Sequence, residues 1–169
     1  ETQTPEVGRG GQAIASELSA PSTASDFVLI VEDNRDMREF IATELQEEYR
    51  IVKAIDGEDG LAKAQEYIPD LIITDVMMPK LDGYKLTRLL RQDPATSHIP
   101  IIMLTAKATE EDKFEGLEKG VDAYLTKPFN RNELDIRVRK LIELRRELLS
   151  RVGQNPMIKA SEVMVASSE

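Results

Sequence analysis

Three carboxylates and one lysine stand just after short apolar runs of the sequence, and their types and spacing could do chemistry. Glu32 and Asp33 follow the apolar run 27–31, while Asp75 and Lys127 follow runs farther along the chain. Acidic side chains that are crowded together cannot all stay ionised without a cation. Mg²⁺ takes hard oxygen ligands and pairs with phosphate, so we predict a magnesium site that handles a phosphoryl group.

Asp75 is the residue that we predict to react. An aspartate carboxylate can attack a phosphoryl group and form an acyl phosphate. Asp33 and Asp75 would coordinate Mg²⁺, with Glu32 nearby or acting through a water molecule. The backbone carbonyl of Met77 is a further candidate ligand for the same ion.

Two further residues would hold the phosphoryl group. Lys127 carries a point charge that can pair with Asp75 or with a phosphoryl oxygen. Thr105 follows the run 101–104 and can donate its hydroxyl to another oxygen, while Ala106 leaves room for the incoming group. Together these residues would stabilise charge on the equatorial oxygens during phosphoryl transfer. Each residue alone also suits a cap, a turn or simple packing, so the prediction depends on their joint placement.

The elements that must position these residues alternate along the chain. Apolar runs predict strands at 27–31, 51–55, 71–74, 101–104 and about 122–125, and helical periodicity predicts helices at about 35–48, from 57, from 83, from 110 to 120 and from 130 to about 150. This alternation predicts an α/β fold, a flavodoxin-like doubly wound five-stranded parallel sheet with five helices. Strand 51–55 brings no polar group to the shared edge, so we place it at the margin. The order 2-1-3-4-5 follows, and it sets Asp33 beside Asp75.

The predicted helices have recognisable faces and ends. The residues that we expect to face the core are Met37, Phe40, Ile41 and Leu45 in the first helix and Leu86, Leu89 and Leu90 in the third. Thr109 with Asp112, and Asn130 with Glu133, are typical of helix N-termini. Gly120 is a candidate left-handed residue at a helix C-terminus.

Composition places limits on the organisation of the chain. Its 169 residues predict one folded domain at 26–150, with a flexible linker at 1–25 and a C-terminal tail at 151–169. The net charge of -9 argues against DNA or anionic membranes as partners of the bulk surface. The chain has no cysteine and no apolar run of about 18 residues, which fits a cytoplasmic location. A start at Glu1 rather than Met indicates a piece of a longer protein.

Four segments resemble the receiver domains of two-component response regulators. They are Val31-Glu32-Asp33-Asn34, Thr74-Asp75-Val76-Met77-Met78-Pro79 with Leu81-Asp82-Gly83, Leu104-Thr105-Ala106, and Lys127-Pro128-Phe129. The resemblance covers about 27–150, and the set is specific because its spacings match as well as its residues. The one small departure is Glu32, where the family more often has an aspartate.

The resemblance implies a role for each residue at the shared edge: Asp75 as phosphoacceptor, Glu32 and Asp33 as the acidic pair, Thr105 as the switch hydroxyl, Lys127 as the essential lysine, Tyr124 as the switch aromatic and Pro128 as a cis-proline. It also implies Mg²⁺ as cofactor, with self-phosphotransfer and autodephosphorylation as the domain's own chemistry. On phosphorylation Thr105 would move toward the phosphoryl group and Tyr124 would rotate inward. The face formed by the fourth helix, the fifth strand and the fifth helix would then change shape.

The flanking segments resemble those around receivers in hybrid two-component proteins, in which a sensor histidine kinase precedes the receiver and an AraC-type DNA-binding domain follows it. The expected partner is therefore a histidine kinase or a phosphotransfer domain, in the same polypeptide or in another. We expect no nucleic-acid or membrane contact by this chain, and a phosphorylation-dependent homodimer stays open. His98 is expected to be a surface residue rather than a phosphodonor.

Other functions fit parts of the same pattern. The main alternative is a phosphohydrolase with a nucleophilic aspartate, but such enzymes resemble Asp-x-Asp, and here Met77 stands where the general acid would be. A flavin- or nucleotide-binding module would need a phosphate cradle after the first strand, where Glu32 and Asp33 would repel a phosphate. A receiver that serves only as a scaffold is disfavoured because all the site residues are present.

Overall fold

The structure is a computed structural model that describes residues 26–106 and 120–154. Strands and helices alternate along these residues: β1 (Phe27–Val31), α1 (Arg35–Leu45), β2 (Arg50–Ala54), α2 (Gly57–Tyr67), β3 (Leu71–Asp75), α3 (Gly83–Gln92), β4 (Ile101–Thr105), β5 (Ala123–Thr126) and α4 (Arg131–Gln154). Every strand begins and ends within one residue of a predicted apolar run, because short runs rich in Val, Ile and Leu suit strands buried on both faces.

The strands form one sheet in the order β2-β1-β3-β4-β5, and all neighbours are parallel. This confirms the predicted order. Helices α1 and α4 contribute Ile41, Leu134 and Val138 to the core on one face. Helices α2 and α3 contribute Ala64 and Leu86 to the core on the other. Because the strands are parallel, their C-terminal ends meet at one edge of the sheet. This is the edge at which the sequence analysis places the candidate site residues.

The helices that follow this edge begin with capped first turns. Side-chain oxygens of Asn34, Asp56 and Asp82 accept hydrogen bonds from the backbone N–H three residues further on, at 3.0, 2.8 and 2.8 Å. Asn130 does the same before α4, where the N–H of Glu133 donates to its Oδ1 at 2.9 Å. These caps fix the direction in which the chain leaves each strand, and so they fix the loops that carry the polar residues.

Two residues predicted to face the core do not. Phe40 on α1 is 41% exposed and Leu89 on α3 is 38% exposed. Successive helical residues are rotated by about 100°, so Phe40 lies at the margin of the stripe that buries Ile41. Its ring lies instead beside Phe129, with the ring centroids 6.3 Å apart. The assignment of Phe40 and Leu89 to the core is therefore wrong.

The helix bounds also differ from the prediction. Helix α1 ends at Leu45, earlier than expected, and α4 continues to Gln154. The predicted fourth helix, with its capping residues Thr109 and Asp112, lies outside the described residues, which contain four helices instead of the five predicted. Gly120 has φ +92°, a left-handed backbone that suits glycine. Among the described helices, none has the length and apolar run that crossing a membrane requires.

Candidate phosphoryl-transfer site

Asp75 is the last residue of β3, the central strand, and both oxygens of its carboxylate have a donor. The backbone N–H of Val76 donates to Oδ1 at 2.8 Å. The ammonium of Lys127 donates to Oδ2 at 3.1 Å. Only 8% of Asp75 is exposed, and every residue of β3 is buried. A buried strand therefore presents one carboxylate to the edge in a fixed orientation, with a cation in contact.

Two further acids come from the end of β1, the strand beside β3. Glu32 is 1% exposed, whereas Asp33 is exposed. One carboxylate oxygen from each of Glu32, Asp33 and Asp75 lies within 4.8 Å of the others. From β1 the chain continues to β2 on one side, whereas from β3 it continues to β4 on the other side. Open α/β sheets bind ligands at such a switch point in the strand order. The structure thus brings together the three acids that the sequence placed at strand ends.

The negative charge of this cluster is only partly compensated. Lys127 Nζ lies 3.1 Å from Asp75 Oδ2 and 3.6 Å from Glu32 Oε1, so one ammonium serves two carboxylates. The pKa of Glu32 is raised from 4.5 to about 7, first by burial and then by the charge of Asp75, while Lys127 opposes the rise. Among the atoms of the described residues, Glu32 Oε2 is buried without a hydrogen-bond partner.

These features fit a small, hard cation. The three grouped side chains offer carboxylate oxygens only, and all-oxygen sites suit Mg²⁺, Ca²⁺ or Mn²⁺ rather than softer metals. A buried carboxylate oxygen that lacks a protein donor has the position and charge of a ligand atom. Mg²⁺ in particular is bound by one or two carboxylates together with waters and phosphate oxygens, so the residues present fit that ion.

The other predicted residues border the cluster. Thr105 ends β4, the strand on the other side of β3. The backbone N–H of Lys127 donates to the carbonyl of Thr105 at 2.8 Å, so β4 and β5 present these two residues side by side. The Lys127–Pro128 peptide bond is cis. Met77 is 78% exposed, and its backbone carbonyl, rather than its thioether, is the group that could serve a hard ion.

Tyr124 lies in an inward position in this structure. It is 9% exposed, and its register partner on β4 is Met103. Its hydroxyl oxygen lies 3.3 Å from that of Tyr84 on α3. The predicted fourth helix of the output face, from 110 to 120, lies outside the described residues except for Gly120. His98 is exposed, as expected, and partial desolvation of its ring together with the charges of Arg145 and Arg91 lowers its pKa.

Two further residues support the site. A Cβ on Gly83 would lie 2.2 Å from the carbonyl oxygen of Asp75, so only glycine lets α3 begin against this loop. The Asp82-Gly83 step predicts the start of this helix from the sequence, but not the close approach of Gly83 to Asp75. Arg38 donates from its guanidinium to the carbonyl of Glu32 at 2.8 Å and fixes the loop after β1. No sequence signal marks Arg38, because a charged residue on a helix is usually a solvated one.

Comparison with known families agrees with this geometry. Residues 28–139 match the response regulator receiver domain family. The chain therefore belongs to this family, and its folded part is a phosphoacceptor domain of two-component signal transduction.

The relatives include a histidine kinase and a transcriptional regulator. Histidine kinase P4 of Formosa agariphila is 40% identical over 140 residues, which are 83% of this chain and 10% of that protein. The DNA-binding dual master transcriptional regulator RpaA of Synechocystis is 40% identical over 116 residues, which are 68% of this chain and 48% of that protein. Among solved structures, the chain is similar to the receiver domain of sensor histidine kinase PA1611 from Pseudomonas aeruginosa, which has a magnesium ion coordinated in its active site cleft. The TM-score is 0.66 and the sequence identity is 36%. The match covers 71% of this chain and 99% of that one. This chain thus spans about a tenth of the first relative and about half of the second.

Proposed function

We propose that Asp75 is the residue that accepts the phosphoryl group. A carboxylate oxygen attacks the phosphorus of a phosphohistidine, the P–N bond breaks, and the imidazole leaves after taking up a proton. The product is an acyl phosphate on Asp75, and attack by water later releases inorganic phosphate and restores the carboxylate. The observation that carries the proposal is the buried Asp75 carboxylate, in contact with Lys127 and grouped with two further acids at the switch point of the sheet.

We also propose Mg²⁺ as the cofactor, held by Glu32, Asp33, Asp75 and the carbonyl of Met77. When bound there, the ion would offset the charge of the carboxylates and of the phosphoryl oxygens. The raised pKa of Glu32 and its unpaired oxygen support this assignment, because both reflect negative charge without a sufficient counter-charge. The magnesium ion in the cleft of the Pseudomonas aeruginosa receiver adds support.

Lys127 and Thr105 are the proposed partners of the phosphoryl group. Lys127 already contacts Asp75, so it can move to an oxygen of the acyl phosphate and remain beside the developing charge. Thr105 lies at the end of the adjacent strand, and its hydroxyl can donate to another phosphoryl oxygen. The ring of Tyr124 already lies inward, and a shift of Thr105 toward that oxygen would favour this position further, which makes these two residues the proposed switch.

The donor that we propose is a histidine kinase or a phosphotransfer domain. Residues 26–150 would form the receiver, with 1–25 and 151–169 linking it to neighbouring domains of a hybrid protein. The similarity to histidine kinase P4 supports a hybrid parent, and the similarity to RpaA supports an output in transcription. A histidine kinase uses cytoplasmic ATP, so the proposed location is the cytoplasm.

The acceptor assignment is tested by incubating the chain with phosphoramidate and Mg²⁺ and measuring the intact mass. The wild type should gain one phosphoryl group that alkali removes, and Asp75→Asn should gain none. Asp36→Asn is a matched control, because Asp36 lies on α1 near the same edge but outside the acidic cluster. An adduct that persists in Asp75→Asn, or that maps to the peptide containing His98, contradicts the assignment.

The same preparation separates a receiver from a phosphohydrolase. A receiver takes a phosphoryl group from a phosphohistidine domain and releases phosphate slowly, with one transfer per chain. A hydrolase would turn over a phosphate monoester many times, which requires a general acid that the exposed Met77 does not supply. Repeated turnover of p-nitrophenyl phosphate that is lost in Asp75→Asn would favour the hydrolase.

A further inference from the structure

A small apolar cluster lies next to the candidate site, apart from the two main cores of the sheet. Met103, Val121 and Tyr124 are buried in it, with Val76 and Tyr84 packed against them. This cluster contains two phenol hydroxyls, those of Tyr84 and Tyr124, whose oxygen atoms lie 3.3 Å apart. One ring comes from α3 and the other from β5, so their contact joins two elements that are distant in sequence.

Tyr84 is tied by backbone contacts to the loop that follows Asp75. It comes directly after Gly83, whose N–H donates to the carbonyl of Val76 at 2.8 Å. Gly83 lies so close to the carbonyl of Asp75 that an added Cβ would be 2.2 Å from that oxygen. Val76 in turn donates its N–H to Asp75 Oδ1 at 2.8 Å. A movement of the loop after Asp75 would therefore also move the backbone of Gly83 and Tyr84.

The position of the Tyr124 ring depends on where its hydroxyl can form hydrogen bonds. In the inward position the ring is buried among apolar side chains, and a buried hydroxyl is costly unless it has partners. The hydroxyl of Tyr84 is such a partner. A phenylalanine in place of Tyr84 would keep the packing of its ring and remove the hydroxyl that contacts Tyr124.

We propose that Tyr84 is a positioning residue of the switch, whose hydroxyl holds the ring of Tyr124 inward and so favours the conformation that accepts a phosphoryl group. The proposal rests on the proposed roles of Asp75 and Tyr124. An oxygen–oxygen distance of 3.3 Å is at the long end for a hydroxyl hydrogen bond, so the contact biases an equilibrium. Its removal should change the inward population by roughly twofold to fivefold.

The first experiment observes the rings directly. The chain contains four tyrosines, so protein labelled with 3-fluorotyrosine should give four fluorine signals that single Tyr→Phe variants assign. In Tyr84→Phe the signal of Tyr124 should move toward the value of a solvent-exposed ring and gain a solvent isotope shift. Tyr67→Phe, which removes a hydroxyl from the last residue of α2, outside the cluster of Met103, Val121 and Tyr124, should leave the signal of Tyr124 unchanged.

The second experiment measures the affinity for beryllofluoride, a phosphoryl mimic, in the presence of Mg²⁺. Tyr84→Phe should weaken it by roughly twofold to fivefold, and Tyr67→Phe should not. If Tyr84 acts through Tyr124, then Tyr84→Phe should add nothing to the effect of Tyr124→Phe in the double variant. The extent of the saturated adduct should stay the same, because no group that touches the phosphoryl is removed.

The outcomes separate this proposal from the proposed function. An unmoved Tyr124 signal in Tyr84→Phe, or effects of the two substitutions that simply add, would overturn the role of Tyr84 while leaving Asp75 as acceptor. If wild-type protein forms no beryllofluoride adduct at Asp75, the proposed function fails. In that case the fluorine comparison alone decides whether Tyr84 holds Tyr124 inward.

Discussion

The two edges of the sheet differ in how far the charges of their acidic side chains are compensated. At the edge where the strands begin, Asp26, Asp70 and Asp122 each precede a strand. Each of them contacts an arginine: Asp26 with Arg146, Asp70 with Arg145 and Asp122 with Arg91. At the edge where the strands end, the site groups three acids, and within the described part of the chain Lys127 is the one cation in contact with them, at Glu32 and Asp75.

The acids at the first edge also bind the ends of the strands. Asp70 accepts a hydrogen bond from the N–H of Phe27, and Asp122 accepts one from the N–H of Ile101, each at 2.8 Å. Arg91 donates to three carbonyl oxygens besides contacting Asp122. The first edge therefore stabilises the sheet, while the second retains uncompensated charge for a cation and a phosphoryl group. Sites that keep such charge lower the stability of the fold in exchange for function.

The largest expected effect is at the stabilising edge. Arg91→Ala should lower the free energy of unfolding by about 3 kcal/mol, because it leaves Asp122 and several carbonyl groups without their donor. Arg91→Lys should recover only part of the loss, since an ammonium lacks the planar fork. Urea denaturation measures both. Arg88→Ala, on the exposed side of the same helix, is the control, and an equal loss there would remove the distinction.

The second effect is a pH dependence from the functional edge. The folded protein holds the proton of Glu32 up to about pH 7, whereas an unperturbed Glu releases it near 4.5. Folding therefore takes up a proton, and stability should fall by roughly 2 kcal/mol between pH 5 and pH 8. Excess Mg²⁺ should restore it at pH 8, because the ion binds only the folded state.

Glu32→Gln is the variant that tests this origin. The fall in stability between pH 5 and pH 8 should largely disappear in Glu32→Gln, while Glu47→Gln, at an exposed position, should keep it. Denaturation curves at matched ionic strength give the comparison. A slope unchanged in Glu32→Gln would assign the pH dependence to other groups.

The third effect has opposite signs for stability and for ion binding. Asp33→Asn removes one of the three clustered charges, so without divalent ions stability should rise by about 1 kcal/mol. The affinity for Mg²⁺ should fall by about tenfold, since a charged ligand becomes neutral. Thermal unfolding in EDTA and a Mg²⁺ titration followed by NMR measure the two quantities. Asp36→Asn should change neither. A loss of stability in Asp33→Asn would contradict the proposal that the clustered charges destabilise the fold.

The smallest effect distinguishes among the arginines themselves. The side chain of Arg146 is 60% exposed, whereas that of Arg91 is 22% exposed. Arg146→Ala should therefore cost only about 0.5 kcal/mol, and high salt should remove the difference. Urea denaturation at two salt concentrations tests this. If Arg146→Ala lowers the free energy of unfolding as much as Arg91→Ala does, the exposure of an arginine does not determine how much its contacts stabilise this edge.

Much of this architecture was predictable because it depends on local pattern. Runs such as 27–31 are apolar on both faces, so each predicts a buried parallel strand, and the polar residue that follows must lie at the edge. The grouping of Asp33 with Asp75 followed from the strand order, which we inferred by assigning no site residue to strand 51–55; Asp56, which follows that strand, instead caps α2. The outward positions of Phe40 and Leu89 were missed, since periodicity locates a stripe but not its margins.

The sequence by itself determined the fold class, the strand order and which residues reach the reactive edge, because strand and helix periods are set by neighbours along the chain. Only the tertiary structure decided the contacts between Tyr84 and Tyr124, between Arg91 and Asp122, and between Gly83 and the Asp75 carbonyl. The partners in the first two contacts are 40 and 31 residues apart. Such contacts depend on how helices pack against the sheet and on which rotamers fill the space between them, and no local pattern encodes either.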